Sequence, residues 1–318
     1  MKSAAVTLTS QKRRQKFLRA LFIVSFMIIP VLHFAVFYVY VNFSSFIMAF
    51  QQPEKGALVF SGFKNFKWVI DRIINGSTFE VDSLDIAFVN TFKTFGLNIV
   101  MFVCGLFVSY FIYKKIWGYK AFRILFYLPS IVSPVVVSIF YTEMVSASGF
   151  MPRLLEDIFQ LDYDLVSPLT DPDFANKMVF LNIIWLHFPA NLILWGGTFS
   201  RIPDSVIESA RLDGCGWLRE MFQIILPLVW PTFVLLITTQ VAGIFGATGN
   251  VFLLTQGQNG TQTVSNWMYM RVQQTTNPLT SNNLYYVSAM GLMLTVVSCA
   301  IALFVRKFFN SRFEETQY

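Results

Sequence analysis

The sequence predicts an all-α membrane protein with about six transmembrane helices. Three observations carry that prediction. Of its 318 residues, 55% are hydrophobic and only 13% are charged, whereas soluble domains carry about a quarter charged residues. Six apolar stretches, at 20–41, 94–113, 123–143, 178–199, 222–248 and 284–305, each approach the roughly 20 residues needed to cross a bilayer. Lysine and arginine alternate between the segments that join them. Sixteen of the 24 basic residues fall in segments 1–19, 114–123, 200–220 and 306–318.

Each element follows from its residues. Lys12, Arg13, Arg14, Lys16 and Arg19 precede the first apolar run. That run is too long for the core of a signal peptide and no small-residue cleavage site ends it, so it reads as an uncleaved first span. The loop at 42–87 carries four basic against five acidic residues. The loop at 144–177 holds Arg153 and Lys177 against six carboxylates, with Gly149, Pro152, Pro168 and Pro172, and reads as an exposed cap with short helices. The loop at 249–283 has Arg271 alone. Basic loops stay on the cytoplasmic side, so both termini and the 200–220 loop are expected inside a bacterial cell membrane crossed several times. The fifth span contains Gln240, Gly243, Gly246 and Gly249, and its outer end is expected to be irregular. The net charge of +6 then reflects orientation rather than affinity for nucleic acid. Cys104, Cys215 and Cys299 have no metal-like spacing, and no disulfide framework or cofactor site is expected. No G-x-x-x-x-G-K-[ST] phosphate cradle is present.

The charged tract RIPDSVIESARLDG interrupts this apolar chain. Ser205 with Glu208 three residues on has the spacing of a capping box. Ala210, Arg211 and Leu212 favour helix, and Gly214 offers a left-handed stop. A second helix is expected from near Gly216 into the fifth span, past Pro227 and Pro231. The product is a helix–turn–helix elbow whose Val206, Ile207, Ala210 and Trp217 fill a pocket on another protein, oriented by Glu208 and Arg211. A solvated loop with ordinary caps fits the local pattern equally well.

The order E-S-A-x-x-D-G, nine residues, then I-x-L-P resembles the EAA loop of ABC-importer permeases, carried by Glu208, Ser209, Ala210, Asp213, Gly214, Ile224, Leu226 and Pro227. Ser209 and Cys215 depart from the usual alanines, and both are small. The resemblance extends to the sugar-type branch of that family through Phe60–Phe66 (F-S-G-F-K-N-F), Asn90-Thr91, Phe122-Arg123 with Leu128-Pro129, Ile202-Pro203 and Leu254-Thr255. Residues 256–260 (QGQNG) depart from the family's G-G-P, which leaves the last outer loop's shape open. The resemblance implies a type I importer permease: residues 1–87 as tail, first span and outer loop, 88–306 as the transmembrane domain with its coupling loop at 200–227, and 307–318 as a tail. It implies a second homologous permease, two cytoplasmic ATP-binding subunits, an extracytoplasmic sugar-binding protein and a carbohydrate substrate, besides membrane lipid. Glu208, Ser209, Ala210, Arg211, Asp213, Gly214 and Pro227 would couple to the ATPases. ATP hydrolysis would belong to those partners, with no catalytic residue in this chain.

Polar groups inside apolar spans are costly and are candidates for function. Here they are His33, Asn98, Glu143, His187, Asn191 and Gln240, with Asn250 at a span end. His187 and Asn191, four apart, share a helix face, as do Gln240, Ile244 and Ala247. By resemblance, His187, Ala190, Gln240, Ile244 and Ala247 fall at positions that line a sugar pathway. The amide of Gln240 and imidazole of His187, with nearby Trp185 and Trp195 as stacking faces, would suit sugar hydroxyls and ring carbons. Interhelical hydrogen bonding explains the same polar residues equally well. The rival function is a self-contained ion-coupled carrier or channel, which the lack of a mid-depth carboxylate disfavours.

Overall fold

In a computed structural model, the structure describes residues 2–54, 56–75, 84–159, 167–246, 250–275 and 281–311. Their contacts divide the chain into two compact units, residues 1–66 with 277–292 and residues 67–276 with 293–318. Among the described residues, five helices are long and apolar enough to cross a membrane, and a bent pair makes a sixth.

The first unit holds α1 (Lys2–His33), a π-wound stretch (Phe34–Tyr40) and α2 (Val41–Ala49), which together give the span Arg14–Ala49. None of the apolar core of this span is buried, as suits a helix that is apolar all round and meets lipid. An element not expected from sequence follows: a hairpin of β1 (Gln51–Glu54) and β2 (Ala57–Phe60), paired Gln51 to Phe60, with Gly56 at φ +83° in the turn. The F-S-G-F-K-N-F stretch closes it. The Asn65 amide, wholly buried, donates to the carbonyls of Ala49 and Gln51, both at 2.9 Å, and its oxygen accepts from Gln52 at 2.7 Å. Phe50 packs against Phe60, Phe63 and Phe66. Helix α3 (Lys64–Asn75) continues from this motif.

The second unit is built on α4 (Leu84–Tyr113) and α8 (Pro172–Phe199). Asp171 caps α8 by accepting from the Asp173 N–H at 2.9 Å, with Pro172 in the first turn, where its missing donor costs nothing. In lipid, hydrophobicity does not drive helices together; close packing and hydrogen bonds do. Gly105 of α4 provides the closeness, since a Cβ there would lie 3.0 Å from the Asn191 Cβ. The Trp195 indole donates to the Phe102 carbonyl at 3.1 Å, and the Ser109 hydroxyl to that of Leu192 at 3.2 Å. Around them Phe102, Trp195, Phe199, Met221 and Ile225 form a core that also receives Phe309 of the C-terminal helix α14 (Asn283–Asn310).

Two expected spans take a different form. The third, expected as one helix over 123–143, is α5 (Tyr119–Ile131) and α6 (Pro134–Met144), bent by 102°. Pro134 disfavours helical backbone at the residue before it, and Ser133 accordingly sits at ψ 132°. Helix α7 (Phe150–Phe159) lies in the loop that follows. The fifth span begins earlier than 222 and ends before 248. Trp217–Ala242 is one continuous helix after α9 (Asp204–Leu212): α10 (Trp217–Arg219), a π-wound stretch (Glu220–Ile225), then α11 (Leu226–Ala242). The π winding lies directly upstream of Pro227, whose missing N–H and bulky ring disturb the preceding turn.

At the end of α11 remote from α9, the helix gives way to a 3₁₀ turn (Ile244–Gly246), α12 (Val251–Leu254) and α13 (Val264–Gln273). The departure from the helix at Gly243 matches the irregular end expected there. The loop between α12 and α13, which contains QGQNG, is tied to distant helices. Asn90 of α4 donates to the carbonyls of Gly260 (2.7 Å) and Gln262 (2.9 Å), Asn176 of α8 donates to Gly260 (2.9 Å), and the Val264 N–H donates to the Thr91 hydroxyl (3.0 Å).

Candidate functional site: the elbow and the spans behind it

The elbow begins at Pro203, at φ −62° and ψ 133°, which ends α8's connection and admits α9. The capping box expected from Ser205 and Glu208 does not form. Pro203 occupies the cap position, so Ser205 falls inside the first turn and its carbonyl accepts the Ser209 hydroxyl at 2.9 Å. The stop is as the sequence indicates. Gly214 lies at φ +69°; its N–H donates to Arg211 and that of Cys215 to Ala210, each at 3.0 Å. These are the two paired bonds of a Schellman turn, and they bind the helix end to the chain that leaves it.

The two faces of α9 divide by chemistry. Glu208, Ser209, Arg211, Leu212 and Asp213 are exposed, with Leu212 at 89%. Ile207 and Ala210, expected to enter a pocket on another protein, are turned inward at 5% exposure. Ile207 joins Ile202, Met221 and Ile225 in the core. Sequence reasoning assigned these apolar residues outward because it counted them without the core behind the helix. Val206 and Pro227 instead line a groove of about 570 Å³ between α9, the end of α8 and the start of α11, with Arg201 and Gln223 on its walls.

A residue that sequence reasoning passed over anchors the elbow. Glu220, 1% exposed, accepts from the Lys114 ammonium through both carboxylate oxygens, at 2.6 and 2.8 Å. It is the one ion pair among the described residues. The Tyr110 hydroxyl donates to the Trp217 carbonyl at 3.4 Å, and Trp217 packs on Phe111. The C-terminal end of α4 thus grips α10 from behind. A signal was present: Glu220 falls between the apolar pairs Trp217-Leu218 and Met221-Phe222, where an unpaired carboxylate is costly.

The expected pathway residues are placed less uniformly. His187 and Gln240 are half-buried, Ala190 is exposed, and Ile244 is buried in the 3₁₀ turn. Asn191 is buried against Gly105, and its amide donates to the His187 carbonyl at 3.3 Å, so it serves the α4–α8 packing. Ala247 lies outside the described residues. Trp195 is not a stacking face: it is wholly buried among Phe102, Phe199 and Phe233. Trp185 packs on Phe140 and Tyr141. A polar residue at depth not singled out from sequence is Asn182, fully buried on α8 with neither amide atom hydrogen-bonded. Among the described residues, no group of three or more His, Cys, Asp or Glu could hold a metal ion.

The described residues form a bundle of apolar spans joined by a charged elbow closed by a Schellman turn. Solved structures bear out the fold. A bacterial ABC transporter involved in the import of the acidic polysaccharide alginate contains a chain that superposes with a TM-score of 0.74 at 22% identity, covering 94% of this chain and 99% of that one. A chain of a bacterial alginate ABC transporter in complex with alginate pentasaccharide-bound periplasmic protein superposes with the same TM-score, 0.74. Residues 101–315 match the family described as binding-protein-dependent transport system inner membrane component, and the chain belongs to that family. Among its relatives are the arabinooligosaccharides transport system permease protein AraP of Bacillus subtilis, 25% identical over 88% of this chain and 86% of that one. The probable ABC transporter permease protein YurN of the same organism is 26% identical over 61% of this chain, and the match spans 65% of YurN's own length.

Proposed function

We propose that this chain is the permease subunit of an ATP-driven, binding-protein-dependent carbohydrate importer. The observation that carries the reading is the elbow itself: a short helix closed by a Schellman turn, pinned by a buried ion pair, with Glu208, Ser209, Arg211 and Asp213 exposed on its free face. Such an element moves as a unit, so a partner that grips it can turn the spans behind it as rigid bodies. In this reading the elbow and both termini face the cytoplasm, as the basic loops favour. The grip comes from two ATP-binding subunits, which alone hydrolyse ATP. Residues 88–306 form the transporting domain beside a second homologous permease, and an extracytoplasmic binding protein delivers the sugar. The alginate and arabinooligosaccharide systems among the similar proteins support carbohydrate as the substrate class.

Within the chain, His187 and Gln240 supply hydrogen-bonding groups along the sugar's path, beside Ala190 and Ile244. Replacing Glu208 with lysine tests the elbow. The variant is expected to insert normally but to lose ATPase binding and uptake, and unchanged co-purification of the ATPase would refute the docking role. Gln240→Ala is expected to alter which sugar is carried while leaving ATP use coupled. Uncoupled hydrolysis in that variant would remove Gln240 from the path.

A further inference from the structure

The polar turn that follows α4 opens onto two adjoining cavities. The smaller, of about 170 Å³, is lined by Lys115, Arg123, Tyr113, Tyr119, Ser109 and Ser200. The larger, of about 520 Å³, is a trough of Ile124, Leu128, Ile131 and Val132. Arg123 and Tyr127 line both, and the Arg123 guanidinium stands 5.7 Å from the centre of the Tyr127 ring, at the seam. The head cavity is cationic and hydroxyl-rich, and the tail cavity is almost wholly apolar.

Basic residues outnumber acids around this site. Segment 114–123 has four basic residues and no acid. Lys114 is engaged by Glu220, whereas neither Lys115 nor Arg123 has a carboxylate within ion-pair distance among the described residues. Beside them, Trp117 is 95% exposed and Ile124, Leu125, Leu128 and Ile131 are each more than half exposed. A free tryptophan at the end of an apolar helix belongs at the membrane interface, with its ring at headgroup depth. With that ring at headgroup depth, the cations would face lipid phosphates and the trough acyl chains.

We infer that this pair of cavities binds one anionic glycerophospholipid, with its phosphodiester between Lys115 and Arg123 and an acyl chain along α5. The Tyr113 and Tyr119 hydroxyls complete the head site as donors to phosphate oxygens, whereas Ser109 and Ser200 already donate to backbone carbonyls. A free phosphate would use the head cavity but leave the trough empty, and a zwitterionic lipid would bring a third cation beside those of Lys115 and Arg123. The inference does not depend on which face of the membrane the elbow occupies, nor on what is transported. The bend at Val132 ends the trough, so the occupant would also brace the broken span.

The test uses the full chain with its co-assembled subunits, extracted in mild detergent and washed free of loose lipid. Native mass spectrometry then counts retained phosphatidylglycerol. The wild type is expected to retain one molecule per chain, and to take up phosphatidylglycerol from nanodiscs in preference to phosphatidylcholine. Lys115→Gln/Arg123→Gln is expected to weaken retention about thirtyfold, from two lost cation–headgroup attractions. The charge-conserving pair Lys115→Arg/Arg123→Lys should keep most of it, which separates headgroup binding from a folding defect. Leu128→Asn/Ile131→Asn should weaken retention with both cations present. Equal retention by the glutamine pair, equal uptake of the two lipids, or displacement of the lipid by millimolar inorganic phosphate would each overturn the proposal. So would a crosslink from Ile131 that reports a second permease in the trough.

Discussion

The elbow and the loop between α12 and α13 lie at opposite ends of the fifth span, and they are held by opposite means. The elbow turns charge outward and keeps one buried ion pair, Lys114–Glu220, behind it. The far loop contains no charged residue between Thr255 and Asn266. It is held by neutral amides and hydroxyls from two other helices, Asn90 and Thr91 of α4 and Asn176 of α8. An element that must be gripped and moved needs a free polar face and a rigid rear. An element that must hold one shape needs its backbone bonds satisfied from several directions at once. Under the proposed function, the difference teaches that charge marks where this chain offers itself to a partner, while amides mark where it binds to itself.

Perturbations at the two ends should rank accordingly. Lys114→Met leaves the Glu220 carboxylate buried without its cation and is expected to cost about 3 kcal/mol. A thermal-denaturation midpoint followed by tryptophan fluorescence would register it, and Lys114→Met/Glu220→Leu should recover most of the loss. If the double variant is no better than the single, the pair is not what holds the elbow's rear. Asn90→Ala removes two hydrogen bonds from the far loop and should cost about 2 kcal/mol. Amide exchange there should rise in the loop while the elbow stays protected, and a rise at both ends would erase the contrast. Gly105→Ala places a Cβ 3.0 Å from that of Asn191 and should cost about 1–2 kcal/mol by overpacking, read as a lower melting point with both ends affected alike. Gly214→Ala forces a side chain onto positive φ and should cost about 1 kcal/mol. Its signature is local: faster thiol labelling of Cys215, with the far loop unchanged.

The elbow was legible because its determinants are local. Gly214 reads as a stop from its own conformational freedom, and the acidic and basic residues of α9 read as a free face from their cost in lipid. Two local readings still failed. Ser205 matches Glu208 by spacing, although Pro203 two residues earlier supplies the cap. Ile207 and Ala210 read as outward from sequence because one short helix does not reveal which side its core lies on. The span count was legible from hydropathy, but the 102° bend of the third was not, though the Ser133-Pro134 pair contained the reason. The far loop was the least legible. Its ties join residues 84 to 173 positions apart, and no periodicity or cap encodes a partner at that distance.

Composition, hydropathy and basic-residue alternation by themselves determined that this is a helical membrane chain with about six crossings and one polar elbow, since each follows from the cost of placing a given group in hydrocarbon. The tertiary structure alone decided that Glu220 is an anchor, that Asn191 and Trp195 serve packing, and that Arg123 joins a polar cavity to an apolar one. Those roles depend on which atoms come within a few ångströms across helices far apart in sequence, and transfer cost, being a property of one residue at a time, carries no record of that.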